Sequence, residues 1–356
     1  MSETLRAPRL EVAANGTRLA GAVAAEVSSN NHYSADRFSV SLALSADPAA
    51  LDLWAAGGEI MIDIAMGIGG AGTSLIQGAV DRVSIDPIRR AVRLDGRDLT
   101  ARLIEARTQE AFVNRTASEI AETLAARHGL EADITPTRTK AGRYYQDEHD
   151  RITLGLFSRA MTEWDLLTWL ARQEGFDVYV RGRTLHFHPP AEAPRAHALS
   201  VADVMDLRLD RALHLAREIE VVVKSWNSRQ QQAFTQTARA PGPRGGGAAG
   251  QRQRVVLVRP NLTTEQALQL AQATLRELTR HRLAIRLTMP GETAIMPRDA
   301  LRLSGSNSAF DQTYMVDEVT RRLSLAHGFT QHIRARTDFT GDGATPPAVR
   351  MGAGMG

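Results

Sequence analysis

The chain has 356 residues, of which 43% are apolar, 23% charged and 5% aromatic, and a formal charge of +3 at pH 7. That length and apolar share can fill two or three ordinary cores, which predicts a soluble multidomain protein. The absence of cysteine excludes disulfide frameworks, thiolate metal cages and cysteine nucleophiles, leaving histidine, carboxylate and hydroxyl chemistry.

Acidic and basic residues are interspersed, so no electrostatic footprint for nucleic acid emerges. Only Lys140 and Lys224 among the 43 basic residues are lysines. The rest are arginines, which suit bidentate contacts in buried interfaces, although a GC-rich coding sequence explains the bias equally well. The opening stretch MSETLRAPRLEVAANG lacks the pattern of a secretory signal. The most apolar window, residues 54–72, is interrupted by Glu59 and Asp63, so no membrane span is expected.

Residues 1–107 read as a β domain. Phe38, Val40, Leu42 and Leu44 alternate with smaller residues, and Ile60, Ile62, Ile64 and Met66 repeat the period of two. Turn signals fall at Asn15-Gly16, Ser28–Asn31, Gly57-Gly58, Gly67–Gly72 and Asp86-Pro87, the cadence of an antiparallel sandwich or barrel. Leu94–Thr100 predicts a strand leaving through a glycine turn at Gly96.

Residues 108–190 read as a small α+β domain. Thr116 and Glu119 form a capping-box pattern ahead of Ile120 and Leu124, with a stop at Gly129. A second helix begins near Thr162, presents Leu166, Leu167 and Leu170, and ends at Gly175. Phe176, Val178 and Val180, an Arg181-Gly182-Arg183 turn, then Leu185 and Phe187 predict a β-hairpin.

Residues 191–340 read as a second β domain after the Pro189-Pro190 and Pro194 boundary. Ile219, Val221 and Val223 alternate before an Arg/Gly/Ala/Pro-rich loop at 239–254, expected to be mobile without a partner. Thr263 and Gln266 cap a helix with Leu268, Ala271, Leu275 and Leu278 along one stripe. Leu283, Ile285, Leu287 and Met289 form a strand. Val319, Arg321 and Leu323 share a periodicity in another, and a last strand runs from about Phe329 to Ala335. Residues 341–356 are expected to be a flexible tail. The two β portions are alike in size and cadence, which permits a duplicated barrel.

Candidate chemistry is sparse. Gly67-x-Gly69-x-x-Gly72 and Gly245-x-Gly247-x-x-Gly250 match a dinucleotide pattern but lack the strand-before, helix-after context of a phosphate cradle; the first reads as a hairpin turn and the second as part of the loop. His186 and His188, two apart on a strand, present both imidazoles on one face, as half of a metal site would, with Glu192 or His197 to complete it. The same spacing also suits the polar face of a hairpin that buries Leu185 and Phe187, and this plainer reading is preferred. Asp147-Glu148-His149-Asp150 offers paired carboxylates but reads more simply as a solvated loop. Glu163 and Asp165 fit the first turn of a helix, where the dipole favours carboxylates. Asn114-Arg115-Thr116 and Asn261-Leu262-Thr263 match glycosylation sequons, yet each threonine is better explained as a cap. No serine-nucleophile, zinc-protease or P-loop signature occurs.

Several separated segments carry a family resemblance: Gln77-Gly78-Ala79-Val80-Asp81; the Gly96-Arg97-Asp98 turn within Leu94–Thr100; Ser118–Gly129 and Asp165–Val180; Val223-Lys224-Ser225-Trp226-Asn227; and Tyr314–Val316 through Gly328-Phe329-Thr330. In this order they resemble the phage late-control D and tail baseplate-hub family, which is similar to the hub part of secretion-system spikes. The resemblance implies a mainly β fold in which two tail-tube-like β-barrel domains flank the small α+β domain. It implies Gly78, Asp81, Gly96, Arg97, Asp98, Ser225, Trp226, Asn227, Gly328 and Phe329 as structural motif residues, with no catalytic residue, metal or cofactor. The expected role is a non-enzymatic homotrimeric hub in the virion tail baseplate, assembled in the host cytoplasm. Its partners would be a tail tube protein or tube-terminating ring, the central spike, tape-measure protein, and DNA in transit. The hub of a tailocin or secretion-system spike is the alternative, ahead of a peptidoglycan-binding or wall-degrading module.

Overall fold

The computed structural model describes residues 7–44, 54, 58–107, 112, 115–138, 140–141, 162–212, 219–227, 232–240, 253–259, 262–279 and 283–337. The fold is mainly β with a small helical insert. The chain divides into two compact units, the first made of residues 1–194, 288–297 and 317–332, the second of residues 195–287, 298–316 and 333–356.

The first unit begins with β1 (Pro8–Ala14), β2 (Thr17–Arg18), β3 (Ala22–Asn30), β4 (Arg37–Ala43), β5 (Met61–Ile68), β6 (Thr73–Asp86) and β7 (Ala91–Asp98). Asn15 and Gly16 join β1 to β2 with φ of 48° and 79°, the paired positive values a tight I′ hairpin turn requires. Ser28, Ser29 and Asn30 lie inside β3, so that turn starts at Asn31, later than the composition suggested. The alternating residues of β4 and β5 face one way and are buried, with Phe38, Val40, Leu42, Ile62, Ile64 and Met66 in one core beside Val27 and Leu94. Burying each such side chain contributes about 1.5–3 kcal/mol, which fixes the register of every strand.

The insert follows. Helix α1 (Thr100–Glu105), α2 (Ala117–Arg127), β8 (Glu131–Ile134), α3 (Glu163–Glu174), β9 (Asp177–Arg181) and β10 (Thr184–His188) enclose their own core around Leu103, Ile120, Leu124, Leu167 and Phe187. Thr116 and Glu119 close a capping box on α2, and Thr162 and Asp165 one on α3, while Gly175 at φ 71° ends α3. Strand β10 lies between β8, which is parallel to it, and β9, which is antiparallel. Trp164 on α3 donates its indole N–H to the Tyr33 carbonyl at 2.7 Å, tying the insert to the turn after β3.

The second unit contains β11 (Ala196–Ser200), β12 (Asp206–Arg211), β13 (Ile219–Asn227), β14 (Gln232–Ala240), β15 (Gln253–Val258), α4 (Thr264–Thr279), most of β16 (Leu283–Pro290), and β17 (Ala300–Ser304). Strand β17 pairs in parallel with β11 and antiparallel with the first residues of β18 (Thr313–Ser324). Strand β13 lies between β14 and β15, and α4 covers one face of the three through Ile219, Val221, Val223, Ala267, Ala271 and Leu275. Leu268, expected on the apolar stripe of α4, is exposed, because Ala267 rather than Leu268 faces the sheet. The residues at both ends of the expected 239–254 loop, Arg239, Ala240, Gln253 and Arg254, belong to strands paired with β13; residues 241–252, which include the second glycine window, lie outside the described residues.

Residues 318–324 of β18 pair antiparallel with β3 and belong to the first unit, as does the start of β19 (Gly328–Arg336). Buried positions fall on Tyr314 and Val316 and then on Asp317, Val319, Arg321 and Leu323, so the inward face switches parity between residues 316 and 317. Arg321, directly opposite Val27, is fully buried. Its Nε donates to the Glu292 carbonyl at 2.7 Å and a second guanidinium nitrogen donates to the Ile295 carbonyl. The Glu292 carboxylate in turn accepts from Gln331 Nε2 at 2.9 Å. The guanidinium is thus the pin that holds residues 292–295 against β18. Arg321→Ala is expected to cost about 3 kcal/mol or more, because it leaves buried acceptors unpaired and a cavity behind. A urea midpoint equal to that of the unaltered protein would show that the pin is dispensable.

Candidate functional site

The motif residues of β6 and β7 form one constellation. Gly78 and Gly96 sit where the strands approach most closely: a Cβ on Gly78 would lie 2.0 Å from the Arg97 carbonyl oxygen, and one on Gly96 would lie 2.3 Å from the Ala79 carbonyl oxygen and 2.4 Å from the Phe38 ring. Gly96 is therefore not a turn residue, as the sequence suggested, but a strand residue whose missing side chain makes room for Phe38. One residue on, Arg97 grips Asp81 with both ends of its guanidinium, at 2.6 and 2.8 Å, and also binds Glu105 at the end of α1. These contacts, the Asp81 hydrogen bond foremost, hold the Arg97 pKa well above its ordinary value. Asp98 is buried and accepts from the Thr100 N–H at 3.2 Å and the Thr100 hydroxyl at 3.0 Å, turning the chain from β7 into α1. Burial first, and the Asp36 charge second, push its pKa well above the usual carboxylate range.

The other motif residues lie apart from these. In the second unit, Ser225 is buried and accepts the Leu262 N–H at 3.1 Å, joining β13 to the approach of α4. Asn227 ends β13, opposite Gln232. Trp226 points to the face that α4 leaves open, where it is 50% exposed; Val256 and Val258, on the same face of β15, are 46% and 66% exposed. At the other end of that face Glu220 is buried between Arg239, at 2.8 Å, and Arg254, at 3.4 Å. The face therefore carries an arginine–glutamate–arginine tie, the buried Val222, and the exposed Trp226, Val256 and Val258 beside the exposed Lys224. In the first unit, Gly328 at φ 72° starts β19 and Phe329 packs on Gly291 in the core shared with Phe38.

The insert gathers titratable groups the sequence only half revealed. His186 on β10 lies between Tyr179 on β9 and Asp133 on β8, directly opposite both in register. The Tyr179 ring stacks on the imidazole at 4.6 Å, and the Asp133 carboxylate meets Nδ1 at 2.8 Å. His188 places Nδ1 2.8 Å from the Pro189 carbonyl, leaving Nε2 3.3 Å from the Tyr179 hydroxyl. Burial lowers the His186 pKa, and the Asp133 hydrogen bond opposes it. The third polar group is Asp133 rather than Glu192 or His197; His197 instead contacts Asp299 at 2.9 Å in the second unit. Leu185 and Phe187 on the opposite face are fully buried, as the hairpin alternation required.

Glu163 lies in the first turn of α3, as expected, and has further partners. It is buried and meets both Arg127 and His128 at the end of α2, so it joins two helices in addition to lying near a helix N-terminus. The first glycine window forms the turn between β5 and β6 with no helix after it, which removes the phosphate-cradle reading. Asp147–Asp150, Asn114 and Asn261 lie outside the described residues, and Thr116 and Thr263 are both helix caps. No helix among the described residues is long and apolar enough to cross a membrane.

Residues 51–324 match the family described as the Alg8 N-terminal domain. The chain belongs to that family. No curated protein sequence matches it. Among solved structures, a tail protein from Neisseria meningitidis superposes with a TM-score of 0.67 at 15% identity, covering 93% of this chain and 97% of its own. The 43 kDa tail protein of prophage MuSo2 from Shewanella oneidensis gives 0.67 at 14% identity over 92% and 98%. An E. coli type VI secretion component, described as similar in structure to the T4 bacteriophage tail proteins gp27 and gp5, gives 0.54 at 11% over 95% of this chain and 79% of that one. At these identities the family member shares with them a fold.

The high Asp98 pKa has a stability consequence. A group whose folded value lies above its unfolded value of about 4 favours folding at acid pH, and that contribution is lost as pH rises through the folded value. Asp98→Asn is therefore expected to gain stability relative to the unaltered protein as pH rises from 4.5 towards 8. Urea midpoints measured across that range check this; a pH-independent offset between the two proteins would contradict it.

Proposed function

We propose that this chain is a structural hub subunit of a contractile-tail baseplate, of the late-control D type, rather than an enzyme. The observation that carries the proposal is the end-to-end likeness to two tail proteins, which spans nearly all of both chains and so leaves little of this one for an unrelated activity. On this reading each chain supplies two tail-tube-like β-barrels, and a homotrimer offers six such positions to the sixfold tube and threefold symmetry to the central spike. An axial passage would admit tape-measure protein and DNA, in a virion baseplate assembled in the host cytoplasm.

Two features support a role built on interfaces. Unpaired strand edges must be covered by a partner or protected, and a ring of subunits covers them by continuing the sheet. The face of β13 and β15 opposite α4 exposes Trp226, Val256 and Val258 beside Lys224, and exposed aromatic and apolar side chains grouped in this way are found where proteins meet. A second reading, the hub of a secretion-system spike, is favoured by the likeness to the E. coli component, 79% of whose chain is covered.

Native mass spectrometry and negative-stain images of the purified chain test the proposal. The expected result is a trimer with a central opening that binds a tail tube or spike protein. A monomer at micromolar concentration that binds neither would overturn it. Trp226→Glu is expected to weaken the trimer while leaving thermal stability within about 0.5 kcal/mol, as for an exposed position; an unchanged trimer would remove the patch from the interface.

A further inference from the structure

We propose that Asp133, His186 and His188 form a binding site for a borderline divalent transition-metal cation of the zinc class, which clips β8 to β10 in the insert. One ligand atom from each of the three residues lies within 4.8 Å of the others, the spacing at which a single ion can bridge them. The residues come from two adjacent strands: Asp133 lies directly opposite His186, and His188 follows two positions along β10 on the same face.

The arrangement around the histidines also suits ligation. A metal-binding imidazole usually donates its second ring N–H to a carbonyl or carboxylate, which fixes the tautomer and aims the other nitrogen. His188 meets this condition, since the Pro189 carbonyl engages Nδ1 and aims Nε2 at the site, where an ion would displace its 3.3 Å contact with the Tyr179 hydroxyl. The His186 ring is held in place by the Tyr179 ring stacked on it at 4.6 Å. The side chain of Asp133 is 63% exposed, so it can exchange its 2.8 Å contact with His186 Nδ1 for an ion without breaking core packing.

Two imidazoles and one carboxylate select the class of ion. Nitrogen donors favour zinc, nickel or copper, whereas magnesium and calcium require oxygen-rich shells. Three protein ligands leave one position of a tetrahedron open, and the Tyr179 hydroxyl, 3.3 Å from His188 Nε2, borders the site. The Arg181 guanidinium lies over the Tyr179 ring at 5.5 Å; its charge opposes a cation, so moderate rather than tight affinity is expected. An ion held by the folded site would stabilise the pairing of β8 with β10, whose contacting residues are 53 positions apart, by mass action.

The test uses the full chain stripped with EDTA. Titration calorimetry with zinc chloride is expected to show one saturable site per chain in the micromolar range, with a rise in melting temperature that magnesium does not produce. Asp133→Asn, His186→Gln and His188→Gln are each expected to weaken zinc binding about tenfold or more. His32→Gln, an exposed histidine elsewhere, should leave it unchanged. Circular dichroism of the metal-free variants shows whether each retains the fold; because Asp133 is exposed, its variant keeps the test interpretable if a histidine variant unfolds. Absence of a saturable site, or equal zinc affinity in folded Asp133→Asn and His188→Gln, would overturn the proposal.

Discussion

The pairing of β3 with β18 governs this protein. The two strands are nearly three hundred positions apart, yet Arg322 contacts Glu26 at 2.7 Å and Thr320 donates to Ser28 at 3.0 Å across the junction. Without β18, the inner edge of β3 would present unpaired N–H and carbonyl groups beside the apolar Ala25 and Val27. A buried edge of that kind is costly, and an exposed one invites association with other chains. The first unit therefore depends on strands made some three hundred residues after β3, and its sheet is complete only once those strands have been made. Non-local pairing of this kind delays folding, since loop closure precedes the contacts that compensate for it.

Arg321 shows how such a junction is made specific. A valine or leucine opposite Val27 would satisfy the alternation set by Val319 and Leu323, but it would offer nothing to the carbonyls of Glu292 and Ile295. The arginine does both: its methylene stem fills core volume and its planar head gathers a neighbouring segment. The Arg97 and Glu220 clusters use the same chemistry at strand junctions. The near-exclusive use of arginine over lysine thus has structural employment within the chain, apart from any role between subunits.

Features set by neighbours in the sequence were legible, and those set by neighbours in space were not. Helices α2, α3 and α4 start at threonines whose capping partners stand three residues on, a signal contained in one turn. The alternation of β4, β5 and β16 follows from a period of two read along a single strand. Strand β8 offered no such pattern, because it is four residues long and only Ile134 is even partly buried. The third member of the histidine cluster was missed for that reason, since Asp133 reaches His186 through a parallel pairing across 53 positions. The misreading of Gly96 has the same origin: glycine marks turns when read locally, whereas here the ring of Phe38 from a neighbouring strand requires it.

The same division bears on function. The family match spans residues 51–324, while the likeness to tail proteins, at 14–15% identity, lies in the fold. Residues that keep a strand in register, such as Gly78 and Gly96, are constrained by backbone approach, so replacing either would displace a strand. The exposed Trp226, Val256 and Val258 lie on the face of their sheet opposite α4 and its core, beside the buried Val222. The glycines are thus explained by backbone approach inside the sheet, whereas the exposure of Trp226, Val256 and Val258 is what the proposed interface role draws on.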